Sequence, residues 1–314
     1  MKTAYGKYGE IEYRIFDPTG NITALVETEV DPIDQPSVAA GVMGLNPEVE
    51  QVGFVTFATG RQDEVTRAAA GAGAPAADVP VSLRMAGGEF CGNATMCAAA
   101  LYMMVNGMSG EATVRVKVSG TTEPLDVCLV RRDATGFDAS VTMPPELGIG
   151  ELKLSDSVLP GSDAFELPIV RMEGISHVIV EPNSGFFGLR DDSALAETLL
   201  RDWCGVLNAE CLGMMFIGDS EVNAANGEIG YADAGDPANC IRSLTPLVYV
   251  PGADTMFWEN SCASGSAAAG IYLAAKAGRP VDITFSEPAG RLRVTSDPGM
   301  RKTVLYGSVM LRLN

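Results

Sequence analysis

The chain has 314 residues, enough for two domains that each bury a core of their own. Its 40 acidic and 22 basic residues give a formal net charge of −18, which argues against the basic face that nucleic acids and anionic membranes require. With one histidine, His177, it cannot build the multi-histidine ligand sets of many catalytic zinc sites.

The cysteines and the chain start predict the compartment. No apolar run is long enough to cross a membrane, and residues 1–7 lack the apolar stretch of a secretory signal. The seven cysteines are odd in number and widely spaced, which is typical of reduced thiols. We therefore expect a cytoplasmic protein that binds a small molecule, has no nucleic-acid or membrane partner, and is a monomer or homodimer.

In chain order, the hydrophobic pattern predicts four helices and one surface loop. The first helix covers residues 36–45, and residues 68–77 have no apolar period, as in a loop. Residues 94–104 and 266–276 are Ala-rich and apolar nearly all round, so we expect two buried helices there. Residues 191–207 form an amphipathic helix whose predicted apolar stripe is Leu195, Leu199, Trp203 and Val206.

Four short stretches of the first half recur in the same order in the second half. The pairs begin at Gly20 and Gly174, Glu50 and Glu210, Cys91 and Cys262, and Val118 and Phe285. Their spacing stays at roughly 150 to 170 residues, which indicates an ancestral duplication. Chance similarity among common strand residues is the alternative. The two halves would meet near the turn-rich residues 143–150.

The order of elements predicts the fold class. Each half contains several short strands and one apolar helix, which indicates an α+β domain whose curled, mainly antiparallel sheet wraps a central helix. We therefore predict two pseudo-symmetric domains, residues 1–145 and residues 146–314.

A cysteine directly precedes each Ala-rich helix, in a turn of small residues. Cys91 is followed by Gly-Asn-Ala and Cys262 by Ala-Ser-Gly. A helix start presents unpaired N–H groups and the positive end of the dipole, which bind carboxylates and lower the pKa of a nearby thiol. If symmetry brings both helix starts together, the α-carbon of a bound carboxylate lies between two thiols. A racemase or epimerase needs this pairing of one base and one acid.

The other chemistry-bearing residues give weaker signals. Free cysteine acts as a small apolar side chain, so we predict core positions for Cys97, Cys128, Cys204, Cys211 and Cys240. No Cys-x-x-Cys pair or nucleotide-binding glycine motif occurs, and we expect neither metal nor cofactor. His177 falls at the repeat position equivalent to Ala24, where a structural or pocket-lining role is at least as well supported as a catalytic one.

The residues around both cysteines resemble the cysteine motifs of the diaminopimelate epimerase superfamily, which includes the proline racemases. The resemblance rests on residues 88–95, residues 259–265, the turn Gly20-Asn21 and residues 51–54, and it covers nearly the whole chain. It implies inversion of an α-carbon by two thiols without a cofactor, in a fold of two pseudo-symmetric domains. It also implies that the last strand, about residues 303–314, can pack with the first domain.

A more specific resemblance is to the histidine racemases of staphylopine-type opine metallophore pathways. It is carried by residues 89–96, 213–215, 246–251 and the string Trp-Glu-Asn-Ser-Cys at 258–262. It implies an amino-acid racemase with histidine as a candidate substrate. The arginine that diaminopimelate epimerases carry before the second cysteine is missing, so diaminopimelate is not expected. Phenazine-type isomerases share the fold but use a carboxylate base, and the two retained cysteines disfavour that branch.

These arguments together predict the site. Cys91 and Cys262 form the acid–base pair and exchange roles with the direction of reaction. The residues expected to hold the substrate carboxylate are Gly92, Asn93, Ala94, Ala263, Ser264 and Gly265. Asn21, Glu50 and Glu259 are candidates to bind the α-amino group or a polar side chain, and a structural role in tying loops is the alternative for both glutamates.

Three other functions stay open beside the racemase. They are an isomerase of the diaminopimelate epimerase type with another substrate, a proton-shifting isomerase that acts on one face, and a non-catalytic amino-acid-binding homologue.

Overall fold

The computed structural model describes residues 6–58, 79–154, 165–221 and 240–313. The predicted surface loop at residues 68–77 lies outside these ranges. Within them, strands greatly outnumber helices, and no helix is long and apolar enough to span a membrane.

The described residues form seventeen strands and four α-helices. The strands are β1 (Gly6–Tyr8), β2 (Ile11–Asp17), β3 (Thr23–Val26), β4 (Gln51–Phe57), β5 (Val81–Met85), β6 (Glu111–Val118), β7 (Leu125–Arg131), β8 (Gly136–Thr142), β9 (Gly148–Leu154), β10 (Phe165–Met172), β11 (Ile175–Val180), β12 (Leu212–Glu221), β13 (Ile241–Val250), β14 (Thr255–Trp258), β15 (Val281–Glu287), β16 (Gly290–Asp297) and β17 (Lys302–Leu311). The helices are α1 (Gln35–Leu45), α2 (Gly92–Val105), α3 (Ser193–Leu207) and α4 (Ala263–Ala277).

Eight strands close into a ring around α2. Neighbouring strands pair in the order β2-β3-β4-β5-β6-β7-β8-β17, and β17 pairs again with β2. Helix α2 contacts seven of these strands, so the ring encloses it. Eleven of its residues are buried, as the sequence predicts for an Ala-rich helix without a polar face.

A second group of strands curls around α4. It runs in the order β9-β10-β11-β12-β13-β15-β16-β17, with β14 paired to β13. Strand β17 belongs to both groups, because it pairs with β16 at residues 302–306, with β8 at residues 304–310 and with β2 at residues 310–311. All the strands therefore join into one mixed sheet that encloses both Ala-rich helices.

The architecture agrees with the sequence prediction in its coarser form. The fold is mixed α/β, with a strand-rich, barrel-like sheet and few helices in the described residues. Most ladders are antiparallel, and the parallel pairs are β3 with β4, β5 with β6, β11 with β12, and β13 with β15. The two-domain pseudo-symmetry stays a prediction.

The core has one large cluster around α2 and α4 and two smaller clusters under α3 and α1. The large cluster includes residues of both α2 and α4, such as Ala94 and Ala263. One smaller cluster lies under α3 around Trp203, and the other lies under α1 around Val42. The two inner helices and their strands therefore share a continuous apolar interior.

The four predicted helices are confirmed, but the predicted stripe of α3 is partly wrong. Leu199 and Trp203 are buried, whereas Leu195 is 37% and Val206 80% exposed. Ala196, Leu200 and Cys204 complete the buried face instead. Four residues after Trp203 comes Leu207, which packs against the core, so Val206 is turned about a quarter of a circle away.

The prediction of five core cysteines is correct for three of them. Cys97, Cys204 and Cys211 are buried, but Cys240 is only half-buried and Cys128 is exposed. Strand β7 alternates buried and exposed side chains, and Cys128 lies between the buried Val127 and Leu129. The prediction was wrong for Cys128 because alternate side chains of a strand point to opposite faces.

Candidate active site

Cys91 and Cys262 both serve as the N-cap residue of a buried helix. Cys91 has extended backbone angles, φ −135° and ψ 112°, and its Sγ accepts a hydrogen bond from Ala94 N at 3.4 Å. Cys262 has nearly the same angles, φ −126° and ψ 104°, and its Sγ accepts from Gly265 N at 3.3 Å. Each thiol thus takes the place of the hydroxyl or carboxylate that usually caps a helix.

The starts of α2 and α4 lie against each other. A Cβ on Gly92 would lie 2.9 Å from the Cβ of Ala263, so only glycine allows this approach. Two side-chain amides from the first half reach the residue before the second cysteine. Asn21 Nδ2 and Asn93 Nδ2 donate to the Ser261 carbonyl oxygen at 2.6 and 3.1 Å. These contacts fix the two helix starts relative to each other.

Both cysteines line one cavity of about 220 Å³. Six other predicted site residues share its wall: Asn21, Glu50, Asn93, Glu259, Ala263 and Ser264. Gly92, Ala94 and Gly265 do not. Gly92 packs on Ala263, and the N–H groups of Ala94 and Gly265 donate to the thiols.

The cavity wall is acidic and apolar. Its charged residues among those described are Glu50, Glu89 and Glu259, with no lysine or arginine. Its apolar part includes Met43 of α1 and Phe257 of β14. The cavity therefore suits a small molecule with donor groups or positive charge, and among the described residues it offers no cationic side chain to a second carboxylate.

Burial raises the pKa of both thiols. Burial raises the pKa of Cys91 to about 12, and the Ala94 N–H only partly offsets this effect. For Cys262 burial comes first, and the nearby Glu259 and Glu287 carboxyls raise its pKa further. Burial therefore outweighs the predicted lowering by the helix starts, because removing a thiolate from water costs more than one N–H donor returns.

The Cys91 thiol has a defined proton acceptor. Its Sγ lies 2.9 Å from Gln51 Oε1, and the S–H donates to that oxygen. Gln51 begins β4, and its Nε2 donates to Thr23 Oγ1 at 2.8 Å, which fixes the amide. A neutral thiol is thus held in one orientation at the cavity wall.

The two glutamates predicted to bind substrate differ in their surroundings. Glu50 accepts hydrogen bonds from Asn260 N, at 3.1 Å, and from Asn260 Nδ2, so it ties the loop before α4 to the start of β4. Burial raises the pKa of Glu259 to about 8, against hydrogen bonds with Cys262 and Asn21 that lower it. Glu50 therefore makes loop-tying contacts and also lines the cavity, while Glu259 lies beside a thiol.

Three residues at the site were missed in the sequence analysis: Gln51, Glu89 and Glu287. Glu287 ends β15, is buried, and accepts hydrogen bonds from Cys262 N and Ser266 Oγ at the start of α4. Burial raises its pKa to about 8. Gln51 and Glu89 stand inside the quoted motifs and could have been found there. Nothing in the local sequence reveals that the end of β15 reaches α4.

His177 lies away from the cavity wall. It is fully buried on β11, and neither ring nitrogen has a hydrogen-bond partner among the described residues. Burial lowers its pKa to about 3, so the ring is neutral. A Cβ on Gly213 of β12 would lie 2.3 Å from Nδ1, so this glycine makes room for the imidazole. His177 is therefore packed inside the protein, away from the cavity.

Solved structures identify the fold. The chain matches a probable proline racemase from Agrobacterium radiobacter K84, with bound carbonate, at a TM-score of 0.57 and 14% identity, over 96% of this chain and 90% of that one. It matches a Bacillus anthracis phenazine biosynthesis protein of the PhzF family at a TM-score of 0.52 and 14% identity, over 96% of both chains. At these identities the likeness shows a shared fold.

Curated relatives point to the class of enzyme. The chain is 26% identical to the histidine racemase of Fusobacterium nucleatum subsp. nucleatum over 277 residues, covering 85% of this chain and 83% of that protein. It is 25% identical to the histidine racemase of Staphylococcus aureus over 288 residues, covering 91% and 88%. The protein is an amino-acid racemase, an isomerase. It belongs to the family described as the histidine racemase CntK N-terminal domain, whose sequence model matches residues 10–224 and 238–309.

Proposed function

We propose that this protein is a histidine racemase that needs no cofactor and inverts the α-carbon with Cys91 and Cys262. The observation that carries the proposal is that the two N-cap thiols open onto one cavity. Free N–H groups of the two helix starts hold the substrate carboxylate between them. The α-carbon then lies between the two thiols.

In each direction one sulfur acts as base and the other as acid. The thiolate of one cysteine takes the α-proton, so that the Cα–H bond breaks and an S–H bond forms. The electron pair moves into the carboxylate as an enediolate, which the helix-start N–H groups stabilise. The other cysteine donates its proton to the opposite face and becomes the thiolate. The opposite enantiomer starts from this second state.

The bound substrate supplies a positive charge that the cavity wall lacks among its described residues. Burial raises the pKa of both thiols. An α-ammonium group beside Glu259 places a positive charge near both sulfurs and favours one thiolate. The pKa of Glu259, raised to about 8 by burial, then falls, because its carboxylate gains the ammonium as a partner.

Histidine fits the lining better than an amino acid with a second carboxylate. The wall offers three glutamates and no basic side chain among the described residues. An imidazole can donate to a carboxylate and also pack on apolar side chains. A distal carboxylate would be buried without a cation, which is costly.

The wider arrangement belongs to the same proposal. We infer a duplicated, pseudo-symmetric chain with halves at residues 1–145 and 146–314, supported by the matching N-caps of α2 and α4. In this scheme β17 returns to the first half, where it pairs with β8 and β2. All seven cysteines are free, which supports a reducing, cytoplasmic location.

The test is stereoinversion of a panel of amino acids. Each pure enantiomer is incubated with enzyme that has been dialysed against a metal chelator and treated with a carbonyl reagent that traps pyridoxal phosphate. Chiral chromatography then measures the other enantiomer. We expect inversion of histidine in both directions. Loss of activity after either treatment, or inversion only of acidic amino acids, would contradict the proposal.

A further inference from the structure

One carboxylate oxygen of a residue at the cavity wall has no hydrogen-bond partner among the described residues. Glu89 lies in the loop between β5 and α2, two residues before Cys91, and its side chain lines the cavity. Its Oε2 is buried and accepts no hydrogen bond from the described residues. A buried carboxylate oxygen without a donor is costly, so the site calls for a donor from a ligand.

Aliphatic side chains pack beside Glu89 Oε2. A Cβ placed on Gly87 would lie 2.7 Å from this oxygen, 2.6 Å from Val250 Cγ1 and 3.3 Å from Ala253 Cβ. All three side chains thus pack closely against the Gly87 backbone, where a Cβ would not fit. Val250 and Ala253 also line the cavity. The oxygen therefore lies beside aliphatic groups, an arrangement that suits a flat side chain with one polar edge.

The other two carboxylates of the wall are already bound within the protein. Glu50 accepts two hydrogen bonds from Asn260. The Cys262 and Asn21 side chains lie near the Glu259 carboxyl and lower its pKa.

Burial raises the pKa of Glu89, and the backbone N–H groups of Glu89 and Gly87 and the charge of Arg84 only partly offset this effect. Its Oε2 still accepts no hydrogen bond from the residues that the structure describes.

We propose, building on the proposed function, that Glu89 is the specificity-determining residue for the substrate side chain. Its Oε2 accepts a hydrogen bond from an N–H of the imidazole, while Val250 and Ala253 contact the ring carbons. Gly87 lets the Glu89 and Val250 side chains approach its backbone. The carboxylate of Glu89 takes no part in proton transfer at the α-carbon.

The test compares two amino acids that differ at the ring edge. Histidine has an N–H there, whereas 3-(2-thienyl)alanine has a five-membered ring of similar size without a donor. The variants are Glu89→Met, which removes the acceptor, and Glu89→Gln, which keeps one acceptor without the charge. Thermal melting checks that each variant folds. Inversion kinetics and calorimetric binding are measured for both amino acids.

We expect Glu89→Met to lower kcat/KM for histidine about 10- to 100-fold, because one charged hydrogen bond is lost. The kcat/KM for thienylalanine should change by less than about threefold, because its ring has no donor for Glu89. Glu89→Gln gives an intermediate loss. An equal change for both amino acids would overturn the inference, because the charge of Glu89 also acts on the Cys91 thiol and that effect does not depend on the side chain.

The binding measurements distinguish a failure of this inference from a failure of the proposed function. Preferential binding of histidine that is lost in Glu89→Met supports the inference even if no inversion occurs, and absent inversion would then count against the racemase alone. Equal binding of both amino acids to the unaltered protein would overturn the inference.

Discussion

At the scale of single residues, Cys91 and Cys262 cap the two buried helices, and Glu287 holds the start of α4. A cysteine before an Ala-rich helix is a local pattern, and both N-caps follow it. Glu287 reaches the Cys262 backbone only because β15 lies beside α4, which no local pattern reveals. The predicted core position of Cys128 is wrong, because composition alone cannot tell which face of a strand a cysteine occupies.

Replacing either candidate acid–base residue is expected to abolish inversion. Cys91→Ser and Cys262→Ser should each lower the rate by at least about a thousandfold, because a serine hydroxyl is a far weaker acid than a thiol. Chiral chromatography with histidine measures the rates. Cys128→Ser is the matched control, since this cysteine is exposed on β7 and should leave the rate unchanged. Full activity in either active-site variant would contradict the two-base mechanism.

The buried carboxyl of Glu287 is expected to make stability depend on pH. Burial raises its pKa from 4.5 to about 8 in the folded protein. Between these values the folded state holds a proton that the unfolded state has lost, so the free energy of unfolding falls as pH rises. Glu287→Gln should show a shallower fall between pH 5 and pH 8 in thermal melts at constant ionic strength.

The control for this prediction is Glu48→Gln, which replaces an exposed carboxylate. It should keep the pH dependence of the unaltered protein. If Glu287→Gln also keeps that slope, the buried carboxyl does not titrate in this range and the prediction is wrong.

At the scale of elements, helix positions followed from the sequence more closely than their buried faces. All four helices were predicted within a few residues, because apolar spacing and capping residues mark them. The stripe of α3 was misjudged at Leu195 and Val206, where the choice between neighbouring apolar residues depends on the sheet beneath. The approach of α2 to α4 was expected only from the inferred symmetry of the two halves.

The contact between the two helix starts gives a prediction of its own. Gly92→Val should separate the starts of α2 and α4, because even a Cβ would lie 2.9 Å from Ala263 Cβ. We expect a loss of activity of at least about tenfold, since small displacements at a reaction centre are costly. Histidine inversion by the folded variant measures it, and an unchanged rate would show that this contact does not position the thiols.

Gly205→Ala is the matched control on α3. A Cβ there would meet no atom within 4 Å. Replacing a glycine inside a helix should stabilise the protein by about 0.5–1 kcal/mol without changing activity. A lower free energy of unfolding in denaturant would contradict the conclusion that there is space for a Cβ at this position.

At the scale of the whole molecule, β17 ties the structure together. It pairs with β2, β8 and β16, and it contacts both α2 and α4. The sequence pattern predicted curled sheets around two buried helices, and this general form is confirmed. The part played by β17 could not follow from pattern alone, because ring closure depends on pairing between residues far apart in the chain.

Shortening a buried side chain of β17 should therefore destabilise the molecule as a unit. Leu305 is fully buried in the cluster shared by α2 and α4. We expect Leu305→Ala to cost about 2–5 kcal/mol and to shift a single unfolding transition. Calorimetry and denaturant unfolding measure this. Two separate transitions would show that the two groups of strands unfold independently.

The central claim is that two thiols exchange the α-proton of histidine from opposite faces. The most direct measurement is incorporation of deuterium at Cα in D₂O, followed by NMR from each pure enantiomer. We predict that each enantiomer yields its mirror image with deuterium at Cα, and that Cys91→Ser and Cys262→Ser both prevent inversion. Inversion with full retention of the original proton, or inversion that survives either substitution, would contradict the claim.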